Sequence, residues 1–219
     1  MHGLIEKLRL FDRKERFVVL REVLGFHSEA PCLDRCFRGR LAKLIETDVP
    51  KSCFLAMDYH LDWIQLAIYL AKNPGIQPGC RFSNPDIENI NMSQRDVDLL
   101  IAFQDPAEKT QTHLVMIEAK AYSSWDNDQL KKKIDRLGKI MNIEEVQETC
   151  ELKPHFVLMT GAESENIQCA SWDTWMLTQE KKLFWLKYTL SERYKVTRCG
   201  DNKVGNKEGD HLRLDSVRK

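Results

Sequence analysis

The strongest constraint on the fold is a pair of strand-forming runs in the middle of the chain, RDVDLLIAF at 95–103 and HLVMIEAK at 113–120. Residues 104–112 between them are polar, so 96–103 and 113–120 read as an antiparallel hairpin with a long turn. Successive side chains of a strand point to opposite faces. Asp96, Asp98, Leu100 and Ala102 therefore share one face, and Val97, Leu99, Ile101 and Phe103 the other. The second run divides into Leu114, Met116, Glu118 and Lys120 against Val115, Ile117 and Ala119. A register centred on residue 108 sets Ala102 opposite Leu114, Leu100 opposite Met116, and Asp98 opposite Glu118.

Helical periodicity surrounds this hairpin. Residues 4–24 carry a helical pattern that Phe11-Asp12 interrupts, and 33–46 form a second helix. A third is expected from Ser52, a plausible N-cap, to Lys72, where Asn73-Pro74-Gly75 stops it. On that helix Asp58 and Asp62 lie on a face beside the apolar stripe. Residues 73–93 read as loop. Beyond the hairpin, 126–146 form an amphipathic helix with Leu130, Ile134, Leu137 and Met141 inward, and 155–160 a short buried strand. A helix over 180–190 and a strand at 194–198 follow, and 200–219 read as a mobile tail. The expected fold is α/β (α+β): a mixed central sheet of four or five strands with helices on both sides, in the order ααα-ββ-α-β-α. One domain spans 1–199, its core at 54–160 and the helices of 4–47 packed on it.

Two carboxylates facing each other about 5 Å apart repel unless a cation lies between them. Magnesium takes one or two carboxylates and keeps waters at its remaining positions, so Asp98 and Glu118 suffice to hold it, or manganese. Lys120 follows about 6.6 Å along the same face. A divalent cation there activates water and neutralises charge growing on a phosphate. The lysine either orients the water and phosphate oxygens or takes a proton. Asp96 reads as a solvated residue at the strand start rather than a second ligand.

An Asp near the start of one strand, then Glu118-Ala119-Lys120 ending the next, then a helix bearing Gln129, resembles the PD-(D/E)XK nucleases and their restriction-endonuclease-like fold. The resemblance covers residues 54–160. It implies metal binding by Asp98, Glu118 and the backbone carbonyl of Ala119, and catalytic roles for Asp98, Glu118, Lys120 and Gln129. It also implies a further acid on the helix preceding the sheet, for which Asp62 and Asp58 are the candidates. Val97, where the motif has Pro, and Asp in place of the more usual helical Glu depart from the pattern. Two other Glu-x-Lys triplets, at 151–153 and 180–182, lack the strand context.

The function so implied is metal-dependent hydrolysis of phosphodiester bonds, in DNA above other nucleic acids. The alternative is a non-catalytic nucleic-acid-binding or protein-interaction module on the same fold. Gln129, Lys132, Lys133 and Arg136 share a helical side by i, i+3, i+4 spacing, either as a solvated face or as a phosphate-contacting one. The 33 basic and 33 acidic residues cancel, which excludes a uniformly basic nucleic-acid coat. No run approaches the roughly 18 apolar residues of a membrane span, and the N-terminus has no uninterrupted signal-peptide core. Seven cysteines without a CxxC pair suit reduced thiols in a cytoplasm. Oligomeric state is left open, a homodimer included.

Overall fold

The computed structural model describes residues 3–23, 32–77, 79–81, 95–121, 125–141, 151–161, 163–164, 166–167, 172–189, 193–201 and 204–217. The N-terminal helical pattern divides into α1 (Leu4–Phe11) and α2 (Glu15–Val23) around Asp12. Next comes α3 (Arg35–Ile45), whose first turn is capped by Asp34 accepting the Phe37 N–H at 2.9 Å; a side-chain acceptor satisfies an amide the helix cannot.

The helix expected over 52–72 is corrected. Its first half is a strand, β1 (Phe54–His60), and only its second half is helical, α4 (Leu61–Lys72). Leu55, Ala56 and Met57 are good helix formers, and Met57 with Leu61 extends the helical spacing. Pairing with the next strand, β2 (Asp96–Gln104), overrides that local preference: β1 lies antiparallel to it from Phe54↔Ala102 to His60↔Asp96. At Asp58 the ladder skips a pair and φ is 49°. This left-handed residue turns Tyr59 into the core, where it is fully buried and its hydroxyl donates to the Leu8 carbonyl at 2.9 Å. The stop at Lys72, with Asn73 as C-cap, is where the sequence places it.

β2 continues into β3 (Thr112–Lys120) with Leu100↔Met116 and Ala102↔Leu114 paired antiparallel, the register centred on residue 108. After β3 the chain crosses back through α5 (Asn127–Met141) to β4 (Leu152–Thr160), parallel to β3. Residues 142–146 of the expected longer helix lie outside the described residues. The helix expected over 180–190 is also corrected: Phe184–Lys187 is β5, parallel to β4. A short apolar run does not reveal by periodicity whether it is a buried strand or a helix segment. The sheet order is β1-β2-β3-β4-β5, a mixed α+β architecture.

Both sheet faces are covered. Leu100, Ala102, Leu114, Met116, Phe156 and Leu158 pack against Leu4 and Leu8 of α1, Ile64 of α4, and Leu130, Ile134 and Leu137 of α5. On the reverse face Ile101, Val115, Ile117 and Val157 meet Leu41 and Ile45 of α3. β3, buried on both sides from Thr112 to Glu118, accordingly reads as a nearly continuous apolar run.

The segment expected to be a tail holds a strand. β6 (Arg193–Cys199) pairs antiparallel with β7 (His211–Val217). Gly209 makes the close return that this hairpin needs, since a Cβ there would lie 2.1 Å from the Cys199 carbonyl oxygen.

Candidate functional site

The β2–β3 ladder ends at Leu99↔Ile117, so Asp98 and Glu118 occupy the next positions, at the rim of the antiparallel pair. Position 58 on β1 falls between Met57↔Leu99 and Tyr59↔Val97. Three acidic positions, 58, 98 and 118, thus stand in one row across three adjacent strands. Asp58 belongs to a strand, not to the helix where the sequence reading placed it.

Asp98 leans across to β3, where its Oδ2 accepts the Ala119 N–H at 2.6 Å. Glu118 is buried, 7% exposed. Lys133 of α5 forms an ion pair with its Oε2, and the Lys120 ammonium lies 3.8 Å from its Oε1. Burial raises the Glu118 pKa above the ordinary carboxylate value; Lys133 opposes that rise, Asp98 adds to it, and Lys120 opposes it more weakly. Lys120 is also near the Trp125 ring, 6.0 Å from its centroid, and Trp125 meets Trp185 edge to face at 6.0 Å. Lys120, Thr160 and Lys187 are register partners at the carboxyl ends of β3, β4 and β5. Ligands of open α/β sheets collect outside such ends.

The α5 residues separate. Lys132 is exposed. Lys133 and Arg136 do not lie on a solvated face: Arg136 is 6% exposed and its Nη2 donates to Asp62 Oδ1 at 2.7 Å and to Gln65 Oε1 at 3.1 Å. Lys133 falls between Leu137 and Ile140 on a helical wheel of 100° per residue, so the inward position was readable from the apolar stripe. Asp62, one of the two candidates for the further acid that the resemblance implies, is buried against Arg136. A cation at Asp62 would have to displace a guanidinium. Its Oδ2 and the Arg136 Nε make no hydrogen bond with any described residue. Gln129 is exposed in the first turn of α5, where Asp126 Oδ1 accepts its backbone N–H at 3.2 Å.

Among the described residues, no three His, Cys, Asp or Glu side chains are grouped to hold a metal ion. The pair Asp98 and Glu118 nonetheless fits a hard cation. Both supply carboxylate oxygens, two carboxylates satisfy magnesium's protein-ligand requirement, and their mutual repulsion raises the Glu118 pKa. An ion between them would relieve that repulsion, in competition with the Lys133 ammonium already on Glu118.

A second polar chain lies at the opposite end of β3, on the α3 side, and had no signal in the sequence. His113 Nε2 meets Asp105 Oδ2 at 2.8 Å and its Nδ1 meets His155 Nε2 at 3.0 Å. Asp105 Oδ1 accepts the backbone N–H groups of Ala107 and Glu108 at 2.8 and 2.9 Å, which ties the β2–β3 turn. Those backbone bonds, Glu108 first, and the His113 contact lower the Asp105 pKa. With Asp105 ionised, proton accounting gives one consistent chain: His155 Nε2–H donates to His113 Nδ1, and His113 Nε2–H donates to Asp105.

No protein-family model matches the chain, and neither the curated proteins nor the solved structures yield a match.

Proposed function

We propose that the protein is a metal-dependent nuclease of PD-(D/E)XK type that hydrolyses phosphodiester bonds, in DNA above RNA. The observation that carries this reading is the convergence of Asp98, Glu118 and Lys120 at the rim of β2 and β3, with Glu118 desolvated beside a second acid. Asp98, Glu118 and the Ala119 carbonyl would hold magnesium or manganese. That ion, when bound, supplies water activation and charge neutralisation at phosphorus.

The chain's own groups do the rest. The Asp98 carboxylate is aimed by the Ala119 N–H, which fixes one oxygen and leaves the other for a ligand. Lys120, held between Glu118 and Trp125, presents an ammonium to phosphate oxygens or to the attacking water and stabilises negative charge that develops in the transition state. Gln129, exposed at the start of α5, would support the site from the side of the substrate. Lys132 is the member of the basic α5 set open to a phosphate backbone.

A non-catalytic nucleic-acid-binding or protein-interaction module is the second reading. The ion pair between Lys133 and Glu118 favours it, because a carboxylate already neutralised by lysine needs no metal. Among the described residues Cys32, Cys36, Cys53, Cys80 and Cys199 form no disulfide, which fits a reducing cytoplasm, and no helix is long and apolar enough to cross a membrane.

Cleavage of single-stranded, duplex, nicked and branched DNA and of RNA, with magnesium or manganese, tests the two readings. Lys120→Ala should stop cleavage while manganese binding largely survives, since it removes transition-state stabilisation and spares the carboxylates. A wild type that cuts none of these substrates and responds to neither metal would defeat the nuclease reading.

A further inference from the structure

Lys133 stands where a cation on Glu118 would have to stand. We propose that Lys133 is an internal counter-ion that occupies Glu118 in the cation-free protein and must leave its Oε2 before Asp98 and Glu118 can take a divalent cation, so that this one side chain gates the site. The inference rests on the reading of Asp98 and Glu118 as a cation site and adds how that site is regulated.

Three observations support it. Both Glu118 oxygens face lysines, Lys133 in direct contact with one and Lys120 at 3.8 Å from the other. A metal approaching Glu118 meets an ammonium at either oxygen, and like charges cannot share the position. Second, α5 itself is anchored next to the site. Leu130, Ile134 and Leu137 are buried in the core, and Arg136, one turn beyond Lys133, is tied to Asp62 and Gln65. Opening therefore requires a rotamer change of Lys133 and no movement of the helix. Third, the charges of Asp98 and Glu118 are balanced by those of Lys120 and Lys133, with Asp58 at the neighbouring row position on β1 adding one further negative charge. A divalent cation added to these five groups leaves a surplus of one positive charge, and Lys133 is released to carry it. The partner that surplus attracts is a phosphodiester backbone, so cation and polyanion should bind with mutual benefit.

The size of the gate follows from the pair it breaks. A charge-assisted hydrogen bond of this kind keeps the open form at roughly 1–10% of molecules, and apparent affinity is reduced by that fraction. Removing the lysine should tighten metal binding by roughly tenfold to a hundredfold.

The test is calorimetric titration of manganese into substrate-free wild type, Lys133→Met, Lys133→Arg and Glu118→Gln, at a temperature where each is folded. Support consists of tighter binding by Lys133→Met, no tightening by Lys133→Arg, and loss of binding in Glu118→Gln. A second measurement uses the unaltered chain: reductive methylation of Lys133, followed by mass spectrometry, should be slow without manganese and faster with it. Equal affinities of wild type and Lys133→Met, or labelling of Lys133 that ignores manganese, would overturn the gate and leave the cation site standing. Absence of manganese binding in every protein, Lys133→Met included, would overturn the site and the gate together. Should Lys133→Met fail to fold, the labelling result decides.

Discussion

Lys133→Met, made alone and in a Glu118→Gln background, separates the terms that hold the site together before any ligand arrives. In the wild type, burial and Asp98 raise the Glu118 pKa, and Lys133 is the largest opposing influence. The paired side chains are 9% and 14% exposed. Removing one partner of a fully buried pair costs about 3–5 kcal/mol. Residual solvent access and the remaining Lys120 reduce that here to about 2–3 kcal/mol at pH 7.5. For a chain of this length the melting temperature should fall by about 4–12 °C.

The pH dependence has a definite sign. A carboxyl whose folded pKa is raised contributes stability below its unfolded value and loses it as pH rises through the folded value. The Lys133→Met deficit should therefore shrink as pH is lowered toward 4.5, the ordinary glutamate value, because the stranded carboxylate takes up a proton. Glu118→Gln alone keeps an oxygen that can accept from Lys133 and removes the repulsion with Asp98, which offsets part of the cost of taking the counter-charge from the Lys133 ammonium, so the metal-free fold should stay intact. In that background Lys133→Met should cost little. Urea melts of the four proteins between pH 5 and 8, in chelator, supply the comparison. A Lys133→Met variant as stable as wild type at pH 7.5, or an equal deficit in both backgrounds, would refute this account of the site's electrostatics.

Other perturbations address regions away from the carboxylates. Burial holds His113 and His155 below their ordinary value of 6.5, His155 at about 3, while Asp105 raises and Lys153 further lowers His113. Their stabilisation is complete above 6.5 and lost as pH falls. For His155 the loss is about 2 kcal/mol by pH 5, so wild type should lose that much more than His155→Gln between pH 7.5 and 5 in urea melts; equal losses would remove the histidine chain as the acid-sensitive element. Gly209→Ala places a methyl against the Cys199 carbonyl and should cost about 1–3 kcal/mol of local stability. Hydrogen exchange should rise in β6 and β7 with little change in β2 and β3, and unchanged protection of the hairpin would contradict the close approach.

What local pattern settles, and what it leaves to packing, differs from one part of the chain to another. The β2–β3 register was legible because two apolar runs flank one polar stretch whose midpoint, residue 108, sets which residues face each other, as the observed pairs Leu100↔Met116 and Ala102↔Leu114 do. That pairing also carried Asp98 and Glu118 to neighbouring rim positions with no further information. The end of α4 was legible because Asn-Pro-Gly cannot continue a helix. β1 and β5 were not: their residues are compatible with a helix, and they became strands only because β2 and β4 offered edges to pair with, a long-range contact that no window of local sequence contains. The partners of Lys133 and Arg136 were likewise decided by tertiary structure. The wheel of α5 turns Lys133 inward, but only the crossing of α5 over the sheet brings it to Glu118, fifteen residues earlier, and only the packing of α4 beside α5 sets Asp62 against Arg136. Chain pattern determines which face a side chain takes; the identity of the group waiting there depends on how separate elements pack.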